Sequence, residues 1–297
     1  MRFDVLTLFP GIFDGFLKES LLSGAIRSHI IDIHLHNIRD WAVDRHGTVD
    51  DTPYGGGAGM VMKVDRVVPC VEDVQGMTAP KGHLILLSPQ GRTLTQRVIE
   101  ELALEERVLL LCGRYEGFDQ RVSDLLEPDE ISLGDFVLNG GEVAAMAIIE
   151  SITRLLPGVL GDEESARFDS FSIGNRILEE PQFTRPREFR GLTVPEILLS
   201  GNHQEVDKWR AAERLRRTSQ RRPDLLAPPV SSTTPAHTVT AKPLPTPGRL
   251  ATAEPLPTPD HLAVNDPLIS VTPSVPPISD LSEEKGDSSP NDGEGLS

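Results

Sequence analysis

Two short runs, HLILL at 83–87 and VLLL at 108–111, are apolar almost without interruption. A strand with polar residues on alternate positions keeps one face in water, whereas a continuous run of this length fits a strand covered on both faces. Between them, TLTQRVIEELALEE (93–106) places Leu94, Val98 and Leu102 on one side at helical spacing and acidic residues on the other. Strand, helix and strand in that order predict parallel strands with helical crossovers. The flanking sequence continues the alternation. Arg2–Phe9 reads as a strand ended by Pro10-Gly11, Ile12–Leu22 as a helix, Ile31–His36 and Ile131–Leu133 as strands, and Glu142–Leu156 as a helix stopped by Pro157-Gly158. Residues 1–160 are therefore expected to form an α/β domain with a largely parallel sheet.

Composition divides the rest of the chain. Residues 161–181 are polar and read as an exposed connector. Residues 182–226 read as a small all-helical domain, with Thr193-Val-Pro-Glu196 as a capping box and Asn202-His-Gln-Glu205 as a second helix start. The stretch 185–222 holds 10 basic against 5 acidic residues, in a chain whose formal net charge is −16. Arg210, Arg214, Arg217 and Arg221 follow one face of the predicted helix, with Glu213 the acidic residue beside them. Such a row suits a phosphate backbone better than an ordinary solvated face, which mixes signs. From 227 to 297 there are 14 prolines and no Phe, Tyr or Trp, and PLPTP occurs twice, at 243–247 and 255–259. A stretch without aromatics and dense in proline cannot bury enough apolar area to offset its ordering entropy, so a disordered tail is expected, in preference to a polyproline ligand.

Several functions are disfavoured by what the sequence holds. Cys70 and Cys112 are the two cysteines, too few for a disulfide scaffold or a Cys-based zinc site. The longest apolar run, Val143–Ile149, is far short of a membrane span, and Asp4 interrupts the N-terminal apolar stretch, which lacks the pattern of a signal peptide. A cytoplasmic protein without membrane contact is expected. GGGAG at 55–59 lacks the Lys-Ser/Thr of a P-loop, and no G-x-G-x-x-G follows a strand. His34 and His36 share a strand face near His29, but no acidic or Cys partner completes a site, so they read as solvent-facing positions of a half-exposed strand and no metal site is expected. The acidic clusters at 100–106 and 162–164 read as solvated faces, and Ser88 lacks the flanking glycines of a nucleophile elbow.

Three strand candidates run directly into small-residue turns: LLSPQG (86–91), LCGRYEG (111–117) and LGDFVLNGGE (133–142). Ligands of parallel α/β sheets sit beyond the carboxyl ends of the strands, and glycines in such turns let backbone amides and carbonyls approach a flat ligand. With the basic helix, this points to an enzyme or binder directed at nucleic acid.

These motifs, together with FDVLTLFP (3–10), DDTPYGGGAGMVMK (50–63), RLLPGVLG (154–161), DSFS (169–172), FTRPREFRG (183–191) and SGNHQEVDKWR continuing to RRPDLL (200–226), resemble in order those of the bacterial tRNA (guanine-N1)-methyltransferases of the knotted SPOUT class. The resemblance spans residues 1–226. It implies a trefoil-knotted α/β domain and a homodimer acting on tRNA. S-adenosylmethionine would be held by Leu87, Pro89, Gly113, Tyr115, Glu116, Leu133, Gly134, Asp135, Phe136, Val137, Leu138, Gly140 and Gly141. It further implies Mg²⁺-assisted methyl transfer to N1 of the guanosine just 3′ of the anticodon, with Asp169 as general base and Arg154 stabilising the guanine. The stretch 172–181 is slightly longer than the family pattern, and Glu179 or Glu180 stands where that pattern has Asp. A knotted methyltransferase for another RNA, and a non-catalytic RNA-binding knot protein, are the alternatives.

Overall fold

The fold follows from where the apolar side chains can go. In the computed structural model, which describes residues 1–161, 168–172, 174 and 176–227, the chain runs β1 (Arg2–Thr7), α1 (Asp14–Lys18), α2 (Ser20–Arg27), β2 (Asp32–Asn37), β3 (Asp50–Asp51), β4 (Val61–Met62), α3 (Val64–Gly76), β5 (His83–Thr93), α4 (Gln96–Leu102), β6 (Arg107–Cys112), α5 (Arg121–Leu126), β7 (Asp129–Ser132) and α6 (Glu142–Thr153). Five strands form one sheet in the order β2-β1-β6-β5-β7, and all of its pairings are parallel. β6 is central and all six of its residues are buried. Its alternate side chains serve two cores. Val108, Leu110 and Cys112 join Phe3, Ile85, Val98 and Ile148 on one face, while Leu109 and Leu111 join Leu6, Val67, Val74 and Val122 on the other. Helices α2, α4 and α6 contribute to the first core, α3 and α5 to the second. Continuous apolar strands are what a sheet covered on both faces requires.

One charged group sits inside this apolar frame. Asp4 is fully buried on β1 and is held by Arg2, by His36 Nε2 at 2.8 Å and by Arg107 Nε at 2.8 Å. Burial pushes its carboxyl pKa up, but the hydrogen bonds from His36, Arg2 and Arg107 outweigh this and hold it well below the usual carboxylate range. Arg107 also donates to the carbonyls of Val74, Gln75, Thr78 and Pro80, placing a cation at the C-terminal end of α3, where the helix dipole favours it. The expectation of solvent-facing histidines is thus corrected for His36, while His34 remains partly exposed. His36 is mostly buried against Asp4, and His34 lies 2.6 Å from Asp32. Among the described residues no group of three His, Cys, Asp or Glu side chains could hold a metal.

Several element boundaries differ from expectation. The helix anticipated over 12–22 is broken at Glu19, which is extended (φ −111°, ψ 157°). The helix anticipated over 93–106 is confined to Gln96–Leu102, with the Thr95 side chain accepting from Val98 N. β5 does not end at Leu87. It continues to Thr93, pairing with β7 again after a register shift between Leu87 and Arg92, so SPQG is an irregularity within a strand and not a plain turn. Gly91 makes this possible, because a Cβ there would lie 2.4 Å from the backbone of Glu130.

The C-terminal segment is not all-helical. A small hairpin, β8 (Glu188–Phe189) with β9 (Leu192–Thr193), precedes a one-turn helix and then α7 (His203–Arg221). Thr193 lies in β9 and does not cap a helix; Glu196, assigned to the same capping box, pairs with Arg187 at 2.6 Å. Asn202 does cap α7, accepting from Glu205 N. The connector is only partly exposed, since Ser172 and Glu180 are buried. Connector residues 162–167, 173 and 175, and residues 228–297, nearly all of the expected disordered tail, lie outside the described residues. Among those described, no helix is long and apolar enough to cross a membrane.

Candidate functional site

The irregular middle of β5 and the carboxyl ends of β6 and β7 open into a cleft of about 300 Å³, at the small end of the range for small-molecule sites. Of the residues expected to hold a ligand, Leu87, Pro89, Gly113, Tyr115, Glu116, Leu133, Phe136, Val137, Leu138, Gly140 and Gly141 line it. Gly134 and Asp135 belong to the same turn but do not form its wall. Backbone geometry explains how the walls come so close. The Gly141 amide donates to Gly113 O at 3.0 Å, and a Cβ on Gly141 would lie 2.8 Å from Cys112 Cα. Any larger residue there would push the turn after β7 away from the turn after β6. Tyr115 adopts a left-handed conformation (φ 60°), and Glu116 N donates to Met60 O, which brings the GGGAG loop to the rim. Phe136, Val137 and Leu138 leave 54%, 85% and 40% of their surface exposed, an apolar edge suited to a flat ligand or to another protein surface.

The back of the cleft holds a charged group that sequence reasoning did not single out, although both members lie in the quoted motifs. Glu142, the first residue of α6, is 1% exposed. Its Oε1 accepts from Thr7 at 2.7 Å and from Arg114 Nε at 3.1 Å, and its Oε2 lies 2.9 Å from Arg114 Nη2. The Arg114 guanidinium rests 4.5 Å above the Phe9 ring. Thr7, Arg114 and Glu142 thus tie the ends of β1 and β6 to the start of α6.

Asp169 and Arg154, expected to act on the guanine, meet each other: Arg154 Nη2 donates to Asp169 Oδ2 at 2.5 Å, and both side chains are partly exposed. Arg154 immediately follows α6, whose other end forms the cleft. Twelve helical residues separate the two ends by about 18 Å. Asp169 is framed by Phe168, stacked under Arg214 at 5.5 Å, and by Phe171, whose carbonyl accepts from Arg176. Arg176 also pairs with Glu100 of α4 at 2.7 Å.

The four arginines of the row expected on α7, Arg210, Arg214, Arg217 and Arg221, are less free than their spacing suggests. Glu180 accepts from Arg214 at 2.6 Å and lies 3.4 Å from Arg210; Glu213, expected beside the row, pairs with Arg216 at 2.5 Å. Burial opposes ionisation of Glu180, but the Arg214 hydrogen bond and the neighbouring guanidiniums hold its pKa below the ordinary value. Arg217 reaches Glu179 O at 3.5 Å, and Arg221 is exposed. The connector is therefore fastened to α7 by charge, and by Thr218, whose hydroxyl accepts from Leu178 N.

A family model described as tRNA (Guanine-1)-methyltransferase TrmD matches residues 1–228. A protein named tRNA (guanine-N(1)-)-methyltransferase from Rhodopirellula baltica is 61% identical over 227 residues, which cover 76% of this chain and 94% of that protein. Proteins of the same name from Geotalea uraniireducens and Geobacillus kaustophilus are 56% and 55% identical over 226 residues, covering 76% of this chain and 90% and 91% of theirs.

Proposed function

The chain belongs to the tRNA (guanine-1)-methyltransferase family, and from this premise we propose that it transfers a methyl group from S-adenosylmethionine to N1 of the guanosine at position 37 of tRNA, next to the anticodon. The observation that carries the reading is the convergence of the glycine-rich turns after β6 and β7 with the irregular stretch of β5 on one cleft whose walls leave no room for a Cβ at Gly141. Such a cradle fits a flat adenosyl group, read by backbone amides and carbonyls. When bound, S-adenosylmethionine supplies an electrophilic methyl on a sulfonium. The cleft's part is to fix that methyl and exclude water, since alignment accounts for much of a transfer of this kind.

Guanine N1 carries a proton that must leave as the methyl arrives, and negative charge develops toward O6. The Asp169–Arg154 pair presents an acceptor beside a donor, matching the N1–H and O6 of a guanine edge. Guanine enters between them, Asp169 takes the proton and Arg154 holds O6. The separation of about 18 Å along α6 argues that one chain's pair does not serve its own cleft. We therefore favour a homodimer whose acceptor site is shared, with the crossing of the β6 and β7 turns forming the family's trefoil knot. The exposed arginines of the 182–226 domain would hold tRNA phosphates. Among the described residues no group of three His, Cys, Asp or Glu side chains fits the Mg²⁺ that the family resemblance implies.

The direct test is incubation with labelled S-adenosylmethionine and tRNA transcripts differing only at the guanosine beside the anticodon. Methylation confined to the guanosine-bearing transcript is expected, and equal labelling of both would overturn the assignment. Sharing of the site is tested by mixing Asp169→Asn chains with Leu138→Trp chains, whose clefts are filled. Activity regained after subunit exchange supports the shared site; an active monomer in sedimentation would end it.

A further inference from the structure

Among the described residues lining the cleft, Arg114 is the cationic one. It stands beside the N-terminus of α6, a 12-residue helix whose unpaired amides add their own positive potential at the same end. Yet the ligand proposed for this cleft is itself a cation. S-adenosylmethionine carries a sulfonium and an ammonium against one carboxylate, whereas S-adenosylhomocysteine, without the methyl, has lost the sulfonium charge and is neutral overall. A half-enclosed cleft with an unbalanced guanidinium and a helix N-terminus would favour the product over the donor.

Resting on that reading of the donor, we propose that Glu142 is the residue that cancels this potential and sets the preference of the cleft for a sulfonium. Its carboxylate is 1% exposed, grips Arg114 through both oxygens and occupies the first position of α6. Low exposure matters because a charge that water cannot screen acts at longer range. Thr7, donating to Oε1 at 2.7 Å, and the Phe9 ring beneath Arg114 fix the pair in place. Glu116 and Glu130 line the wall itself but are directed elsewhere, Glu116 against Gly59 and Glu130 accepting from Ser123, whereas Glu142 stands behind the wall and pairs with Arg114. Glu142 acts through Arg114 and does not touch the reacting atoms, so it is a positioning residue.

A purely structural role for Glu142 would weaken both ligands alike, whereas charge cancellation separates them. Calorimetric binding of S-adenosylmethionine and S-adenosylhomocysteine is measured for the wild type, Glu142→Gln, Arg114→Gln and the double variant, with thermal unfolding of each. Glu142→Gln is expected to lose about tenfold in affinity for S-adenosylmethionine and less than about twofold for S-adenosylhomocysteine. Arg114→Gln, which leaves the carboxylate uncompensated, shifts the ratio the opposite way, and the double variant returns it toward the wild type. Equal losses of both ligands in Glu142→Gln overturn the inference while leaving the donor assignment standing. Should Glu142→Gln fail to fold, an unmoved ratio in Arg114→Gln overturns it as well. A wild type that binds neither ligand removes the donor assignment and this inference together.

Discussion

The sheet domain and the C-terminal segment both depend on arginine–carboxylate pairs, yet they use them in opposite settings. Arg107–Asp4 is closed off from water between β6 and β1, and Arg114–Glu142 is largely buried between the turn after β6 and the start of α6; each joins elements far apart in sequence. Along α7, Lys208–Glu205, Arg216–Glu213 and the following Arg222–Asp224 are local and solvated. Breaking a buried pair leaves an uncompensated charge, which costs about 3–5 kcal/mol, whereas exposed pairs contribute about 0–1 kcal/mol. The first kind fixes geometry. The second can exchange a carboxylate for a phosphate at little cost, which is what the surface proposed to hold tRNA would need.

Asp169–Arg154 falls between the two settings and gives the largest expected effect. Asp169→Asn keeps the shape but not the proton acceptor, so single-turnover methylation should fall by about 10²–10⁴-fold with donor affinity unchanged. Wild-type rates would remove Asp169 as the base, and a parallel loss of donor binding would make it structural. Next comes Asp4→Ala, which strands Arg107, 2% exposed, inside the sheet. Urea denaturation should show a loss of about 3–5 kcal/mol, and a loss below about 1 kcal/mol would place this pair with the surface ones.

Acid sharpens the same contrast. Burial raises the pKa of Asp129, but hydrogen bonds from His83 and Arg92 bring it from its ordinary 3.8 to about 2. A carboxyl depressed on folding stabilises above its unfolded pKa, and that contribution is lost as pH falls through the folded one. Its share is thus fully present above about pH 4 and disappears toward pH 2. Asp129→Asn should flatten the stability profile across that window; an unchanged acid limb would mean the bonds are not made in solution.

A smaller effect is expected on α7. Replacing Arg217 and Arg221 with Gln should reduce the salt slope of tRNA binding by about 1–2 units, whereas Arg210 and Arg214, already engaged by Glu180, should contribute less. Anisotropy titrations at several salt concentrations decide between them, and equal slopes for the two double variants would cancel the distinction. The least effect belongs to deletion of residues 229–297, which lie beyond the family match: methyl transfer should change by less than a factor of two, and a large loss would give the tail a role.

What the sequence made legible was local in character. Apolar runs marked β5 and β6, and glycines marked the turns of the cleft, because strand burial and close backbone approach are written in neighbouring residues. Partners distant along the chain left no such trace. His36 meets Asp4 across 32 positions, Arg107 meets Asp4 across 103, and Thr7 meets Glu142 across 135. The arginine row on α7 was visible, but the carboxylate that occupies it comes from a connector 34 positions away. At Thr193 a capping pattern was present and lost to the hairpin, in which Thr193 lies opposite Glu188 and the next residue, Val194, donates to Arg187 O.

Helix α6 has one end at the cleft and hands the chain to Arg154 at the other, and this makes it a ruler. A residue inserted within it advances Arg154 by about 1.5 Å and swings it by about 100°, while the cleft end stays where Glu142 pins it. Outward-facing positions such as Glu150 can vary freely in kind, but the helix cannot vary in number. Insertions and deletions, so easily absorbed in the surface loops of a protein, would here move Arg154 out of register with the cleft end of its own chain.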